Sequence, residues 1–80
     1  MFHNLKIAPS YFEAVKENKK TFELRRNDRN FNVGDTLNLE EFQGEYTGRN
    51  IQVKITYILE GGIYGLSKEY VILAIKKVEN

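Results

Sequence analysis

The chain reads as a mainly-β domain, α+β in detail, in which five or six short strands curl into a small barrel beside one early helix. Three observations predict this. Over most of the chain apolar residues alternate with polar ones, the period that sends successive side chains to opposite faces of a strand. One stretch near the N-terminus, Tyr11, Phe12, Ala14 and Val15, instead spaces its apolar residues by three and four, the period of a helix. Finally, 80 residues cannot cover both faces of a flat sheet of that many strands, so curling is the way to bury one face and limit exposed edges.

Taken in order, His3 to Ile7 is expected as a strand with Leu5 and Ile7 on its buried face. Pro9, the only proline, suits the first turn of the helix, because it has no N–H to leave unpaired and its φ is already helical. Asn18 is the expected stop, since asparagine tolerates a left-handed cap. From Lys20 the period falls to two, and Phe22 and Leu24 read as the buried face of a strand whose polar face carries Thr21, Glu23 and Arg25. Phe31-Asn32-Val33-Gly34-Asp35 forms a turn with Gly34 at positive φ, followed by a strand over Thr36 to Phe42. Gln43 to Arg49 reads as a polar loop containing two glycines. Ile51, Val53, Ile55, Tyr57 and Leu59 then alternate as the clearest strand in the chain. A glycine-rich turn over residues 60–65 leads to a last strand, Tyr70 to Val78, rich in β-branched residues. The aromatics at periodic positions, Phe12, Phe22, Tyr57 and Tyr70, are assigned to the core.

The 80 residues form one domain, with no repeat, low-complexity tract or linker at which to divide it. A composition of 41% hydrophobic and 29% charged residues belongs to a folded globular chain rather than a disordered one. With no cysteine, disulfides and thiolate metal sites are excluded. The longest apolar run, Tyr70 to Ile75, is far short of the roughly twenty residues of a bilayer span, and the first residues lack a charged-then-apolar leader. A soluble cytoplasmic monomer without cofactor, metal or membrane partner is the expectation. His3 is the only histidine, so a histidine-based triad or metal site finds no support; it is expected to be a plain strand residue.

Net charge is only +1, yet residues 16–29 hold six of the twelve cations against three carboxylates. Within this stretch Glu23 lies between Lys20 and Arg25 in sequence, three and two residues away. A carboxylate among cations stays ionised, which suits holding a partner in place more than transferring protons. The arginine fork and the lysine point charge are both suited to a phosphate or carboxylate. On spacing alone, a small ion pair on a solvated face is the competing reading.

Asn18-Lys19-Lys20-Thr21-Phe22-Glu23-Leu24-Arg25 resembles the G-x-K-x-x-E-x-R signature of the ASCH superfamily, with asparagine in place of the glycine. The likeness continues in Phe31-Asn32-Val33-Gly34-Asp35, similar to the F-x-x-G-D turn of ASCH and PUA domains. It extends through Tyr46-Thr47-Gly48-Arg49 and Ile55 to Leu59, and Gly65-Leu66 matches small bacterial and phage ASCH-like proteins. The resemblance implies a PUA-like β-barrel with a cleft lined by Lys20, Glu23 and Arg25, and a role in binding RNA or a nucleotide. In that role Lys20 and Arg25 engage phosphate or a base edge, and Glu23 orients them or accepts from an exocyclic amine. Arg26, Arg29 and Arg49 would attach to the nucleic-acid backbone, and Tyr46 and Tyr64, both expected in loops, would stack on bases. One branch of small ASCH proteins removes an acyl group from modified cytidine such as N4-acetylcytidine, using a lysine, a threonine and a glutamate. Lys20 stands where that lysine stands, but Glu23 occupies the threonine position and the insertion carrying the glutamate is missing. Thr21 or Glu69 would have to substitute. A neighbouring carboxylate also stabilises the ammonium form of a lysine base. Binding without catalysis is therefore the preferred expectation, with the amidohydrolase as the alternative.

Overall fold

The computed structural model describes residues 1–78. Its elements run β1 (Phe2–Ile7), α1 (Pro9–Lys16), β2 (Phe22–Arg26), β3 (Thr36–Phe42), β4 (Tyr46–Glu60) and β5 (Tyr70–Lys77). All five strands join one sheet in the order β1-β3-β4-β5-β2, with β1 parallel to β3 and the other pairs antiparallel. The sheet curls as a half-barrel. Its two edges, β1 and β2, share no ladder, so the expected closure by strand pairing is replaced by an open seam.

That topology places α1. The helix connects β1 to β2, the two opposite edges of the sheet, so it has to cross the open side of the half-barrel. It begins at Pro9 as expected and buries Phe12 and Val15 against the sheet. Asn18 takes φ 61°, and its N–H and those of Lys19 and Lys20 return to the carbonyls of Val15 and Ala14 at 2.8–3.0 Å. Lys77 Nζ donates to the Lys16 carbonyl at 2.7 Å, putting a cation where the helix dipole is negative.

One core holds the domain together, with Leu37, Leu39, Val53 and Leu73 fully buried at its centre and Leu5, Ile7 and Phe31 closing its margins. Two expectations about facing are corrected. In β2 the apolar pair points outward: Phe22 and Leu24 are 48% and 52% exposed, whereas Glu23 is buried. The reason lies in the partner strand, where Val71, Leu73 and Ile75 face the core. The register sets Glu23 opposite Leu73, leaving Phe22 and Leu24 beside the outward Ala74 and Ile72. In β4 the register slips between Ile55 and Tyr57, where one extra residue opposes β5. The alternation therefore inverts, so that Ile58 packs on the core while Tyr57, expected inside, is exposed. Of the four aromatics assigned to the core, Phe12 is buried, Tyr70 half-buried, and Phe22 and Tyr57 exposed.

The turn before β3 has Gly34 at φ 96°, as expected. Asp35, which ends it, is buried and highly connected. Its carboxylate accepts from the Met1 amine at 2.9 Å and from the Asn32 N–H at 3.0 Å, and it lies 2.9 Å from His3 Nε2. These bonds, the Met1 amine foremost, hold the Asp35 carboxyl down at about 2. His3, read as a plain strand residue, is a buried member of this cluster and meets the Phe31 ring edge-on at 5.0 Å.

Candidate functional site

Where the sheet fails to close, a cleft of about 750 Å³ opens between β1, α1 and the α1–β2 corner. Lys20, Glu23 and Arg25 all line it, together with Lys6, Tyr11 and Phe22. The structure thus brings together the three charged residues of the sequence motif. The helix cap accounts for Lys20, because the turn at Asn18 aims the chain back toward the helix. Strand pairing accounts for Glu23 and Arg25, whose odd positions face inward at an edge lying beyond the apolar centre of the core.

Glu23 is the hub, its side chain only 6% exposed. Lys20 Nζ approaches Oε1 at 3.1 Å and Arg25 Nε approaches Oε2 at 3.4 Å, so the carboxylate lies between two cations. Neither approach has the angle of a hydrogen bond, and both Glu23 Oε1 and Arg25 Nε are left without a hydrogen-bond partner. A buried carboxylate needs this neutralisation, since an isolated charge there would cost several kcal/mol. Charge is balanced while hydrogen-bonding capacity remains open. The cations are held by their other bonds: Lys20 Nζ donates to the Phe22 carbonyl at 2.7 Å, and Arg25 Nη2 to the Lys6 carbonyl at 2.7 Å. Arg29 Nη1 donates to the Asn4 carbonyl at 3.1 Å, so two arginines bridge the seam that a strand ladder would otherwise close.

The mouth of the cleft is aromatic. Lys20 Nζ sits 5.3 Å from the Tyr11 ring centroid and 5.0 Å from that of Phe22, both rings largely exposed. Sequence reasoning missed Tyr11 and Phe22 as lining residues because their spacing reads as core; only the register of β2 and the crossing of α1 bring them here. Lys6 lies on the other rim, over the Phe42 ring at 4.3 Å and the Tyr46 ring at 5.7 Å.

The remaining predicted residues lie outside this lining. Tyr46 begins β4 rather than occupying a loop, and packs edge-on against Phe42. Tyr64 is in the turn as expected, 96% exposed. Arg26 pairs with Glu69 at 3.6 Å and stacks over Tyr70. Arg49 binds Glu13 at 2.6 Å, approaches Glu41 at 3.8 Å and covers the Phe12 ring, clamping α1 to β4. That hydrogen bond holds the Glu13 carboxyl below its usual range and pushes the Arg49 guanidinium up. Arg49 also borders a shallower hollow of about 400 Å³ with Phe12, Lys16 and Asn50. No helix among the described residues is long and apolar enough to cross a membrane.

Comparison with known proteins agrees on kinship and fold. A family described as a domain of unknown function, DUF3850, matches residues 2–75. An uncharacterized 12.9 kDa protein in the GpA 3'region of Escherichia phage P2 is 40% identical over 72 residues, covering 89% of this chain. The chain spans 64% of that relative's length. The crystal structure of hypothetical protein PH0355 superposes with a TM-score of 0.71 at 18% identity, covering 98% of this chain and all of that one, a likeness of fold.

Proposed function

The chain belongs to the DUF3850 family, and we propose that it is a PUA-like, ASCH-type module that binds single-stranded RNA or a nucleotide in the cleft between β1, α1 and β2. One observation carries this reading: a nearly fully buried carboxylate, flanked by two cations yet with an oxygen left unpartnered, at the floor of a cleft whose mouth holds exposed aromatic rings. Buried polar groups without partners are rare in proteins, and such a group in a cleft fits a role toward a ligand. In this reading a base enters between Tyr11 and Phe22, its polar edge meets Glu23, and its phosphate is drawn by Lys6, Lys19, Lys20 or Arg25. A cytoplasmic setting suits such a partner.

Arg26, Arg29 and Arg49 contribute little to attachment in this proposal, because each is engaged with a carboxylate or carbonyl of its own chain. Hydrolysis of an acylated nucleoside has less to support it. Lys20 lines the cleft, but Glu69 pairs with Arg26 outside the lining, and Glu23 stands where a hydroxyl nucleophile would be needed.

The test is a fluorescence titration of the protein with short single-stranded RNA over a range of salt. Two or three neutralised phosphates give a log–log slope of about −1.4 to −2.1. Absence of binding at low salt, or binding indifferent to both salt and Arg25→Ala, counts against the proposal.

A further inference from the structure

We propose that a single RNA strand held in the cleft continues onto the convex face of the sheet, where its bases stack on Phe22 and Tyr57 and a phosphate sits between Lys54 and Lys76. The inference rests on the RNA-binding reading and extends it to a surface outside the cleft.

The registers of β2, β4 and β5 assemble this face. Phe22 and Tyr57 both stand opposite Ala74, on the two strands that flank β5. Neighbouring strands lie about 4.8 Å apart, so the two side chains rise roughly 10 Å apart with only a methyl group between them. They are 48% and 64% exposed. In the next row Leu24 and Leu59 flank Ile72 in the same way. Tyr57 reaches the convex side only through the extra residue in β4, which inverts the alternation there. Contiguous apolar residues left outside on three adjacent strands mark a contact surface.

Charge decides what covers it. On the other side of the aromatic row Lys54 stands directly opposite Lys76, both exposed. Like charges in directly opposed positions destabilise a sheet. Neither lysine takes part in an ion pair among the described residues. Nor does β3 supply an acid, since its residue opposite Lys54 is Thr36. Glu60 and Glu69 lie past the far end of the apolar rows, and Glu69 is paired with Arg26. A phosphate between the two lysines offsets their repulsion, and aromatic rings beside a phosphate site are what a single-stranded nucleic acid uses. Phe22 also lines the cleft, so one strand reaches both surfaces without a break. Every base has a π-face, so this surface adds affinity without sequence preference.

The test measures a fluorescently labelled RNA octamer by anisotropy and uridine monophosphate by calorimetry. It uses the unaltered protein, Tyr57→Ala, and Lys54→Gln combined with Lys76→Gln. Tyr57→Ala should weaken octamer binding roughly tenfold and leave the mononucleotide, which the cleft holds alone, unchanged. The double lysine variant should make the log–log salt slope of octamer binding shallower by about 0.7, the contribution of one phosphate, with a melting temperature no lower than that of the unaltered protein. Octamer binding that is the same in both variants as in the unaltered protein overturns the extension and leaves binding in the cleft intact. An unaltered protein that sediments as a dimer and becomes monomeric in Tyr57→Ala overturns it as well, since the face then joins two copies. Failure of the octamer to bind the unaltered protein removes both readings.

Discussion

Replacing Asp35 with asparagine keeps the size of the side chain and removes its charge, which isolates what the buried carboxylate contributes. In the folded protein its partners hold this carboxyl down at about 2, against an ordinary value of 3.8. The Met1 amine and His3 favour the ionised form, and burial opposes it. A folded value below the unfolded one means that the stabilisation is fully present above pH 4 and disappears as pH falls through about 2. At about 1.4 kcal/mol for each pH unit, the difference amounts to roughly 2–2.5 kcal/mol at neutral pH. For an 80-residue domain whose whole stability is of order 4–12 kcal/mol, that corresponds to a melting temperature lower by roughly 8–16 °C. Urea unfolding of both proteins at pH 7, 5, 4, 3 and 2 measures it. The gap between them should hold at about 2 kcal/mol down to pH 5 and narrow from pH 4 to pH 2. Acetylation of the Met1 amine, the largest of the favourable partners, should reproduce much of the loss in the native sequence. A gap that does not change with pH would refute the reasoning, since packing rather than charge would then be responsible.

Other perturbations follow from the cleft and its supports. Arg25→Ala takes one of two cations from a buried carboxylate and breaks a bridge to β1, so a loss of roughly 3 kcal/mol in chemical unfolding is expected, with partial recovery in Arg25→Lys. Phe22→Ala removes a largely exposed ring, so the melting temperature should change little while nucleotide affinity drops by roughly tenfold; unaltered affinity would exclude the ring from the site. Gly61→Ala drives a Cβ into the backbone carbonyl oxygens of Ser67 and Tyr70. A loss of roughly 1–3 kcal/mol is expected there, whereas alanine at Gly62, which would meet only the Lys68 Cβ at an ordinary 3.6 Å but sits at positive φ, should cost nearer 1 kcal/mol.

Local chemistry was legible in the residues. Pro9 starts the helix because its ring already holds the required φ, Asn18 ends it because asparagine accepts a left-handed turn, and alternation marked β1, β3 and the middle of β4, Ile51 to Ile55, although β4 itself starts at Tyr46 within the stretch read as a loop. Each of these depends on a residue and its near neighbours along the chain, so no partner strand need be known. The grouping of Lys20, Glu23 and Arg25 was likewise visible as a spacing, although spacing alone leaves open whether they meet in a hollow or fan out into water.

What faces what depended on contacts distant in sequence. Phe22 and Leu24 satisfy the pattern of a buried face, yet pairing with β5 turns them outward, because Leu73 already claims the core opposite Glu23. Tyr57 lost its expected place to one extra residue in β4, which shifts parity without leaving a mark in composition. Composition and periodicity carry no signal of the cleft itself, which the sequence suggested only through the resemblance of its charged motif. It exists because β1 and β2 end up as opposite edges of an open sheet, with arginine side chains spanning the gap and a helix obliged to cross it. Backbone preferences are set within a few residues, whereas burial and charge pairing are properties of the assembled surface, and the candidate site is made of the latter.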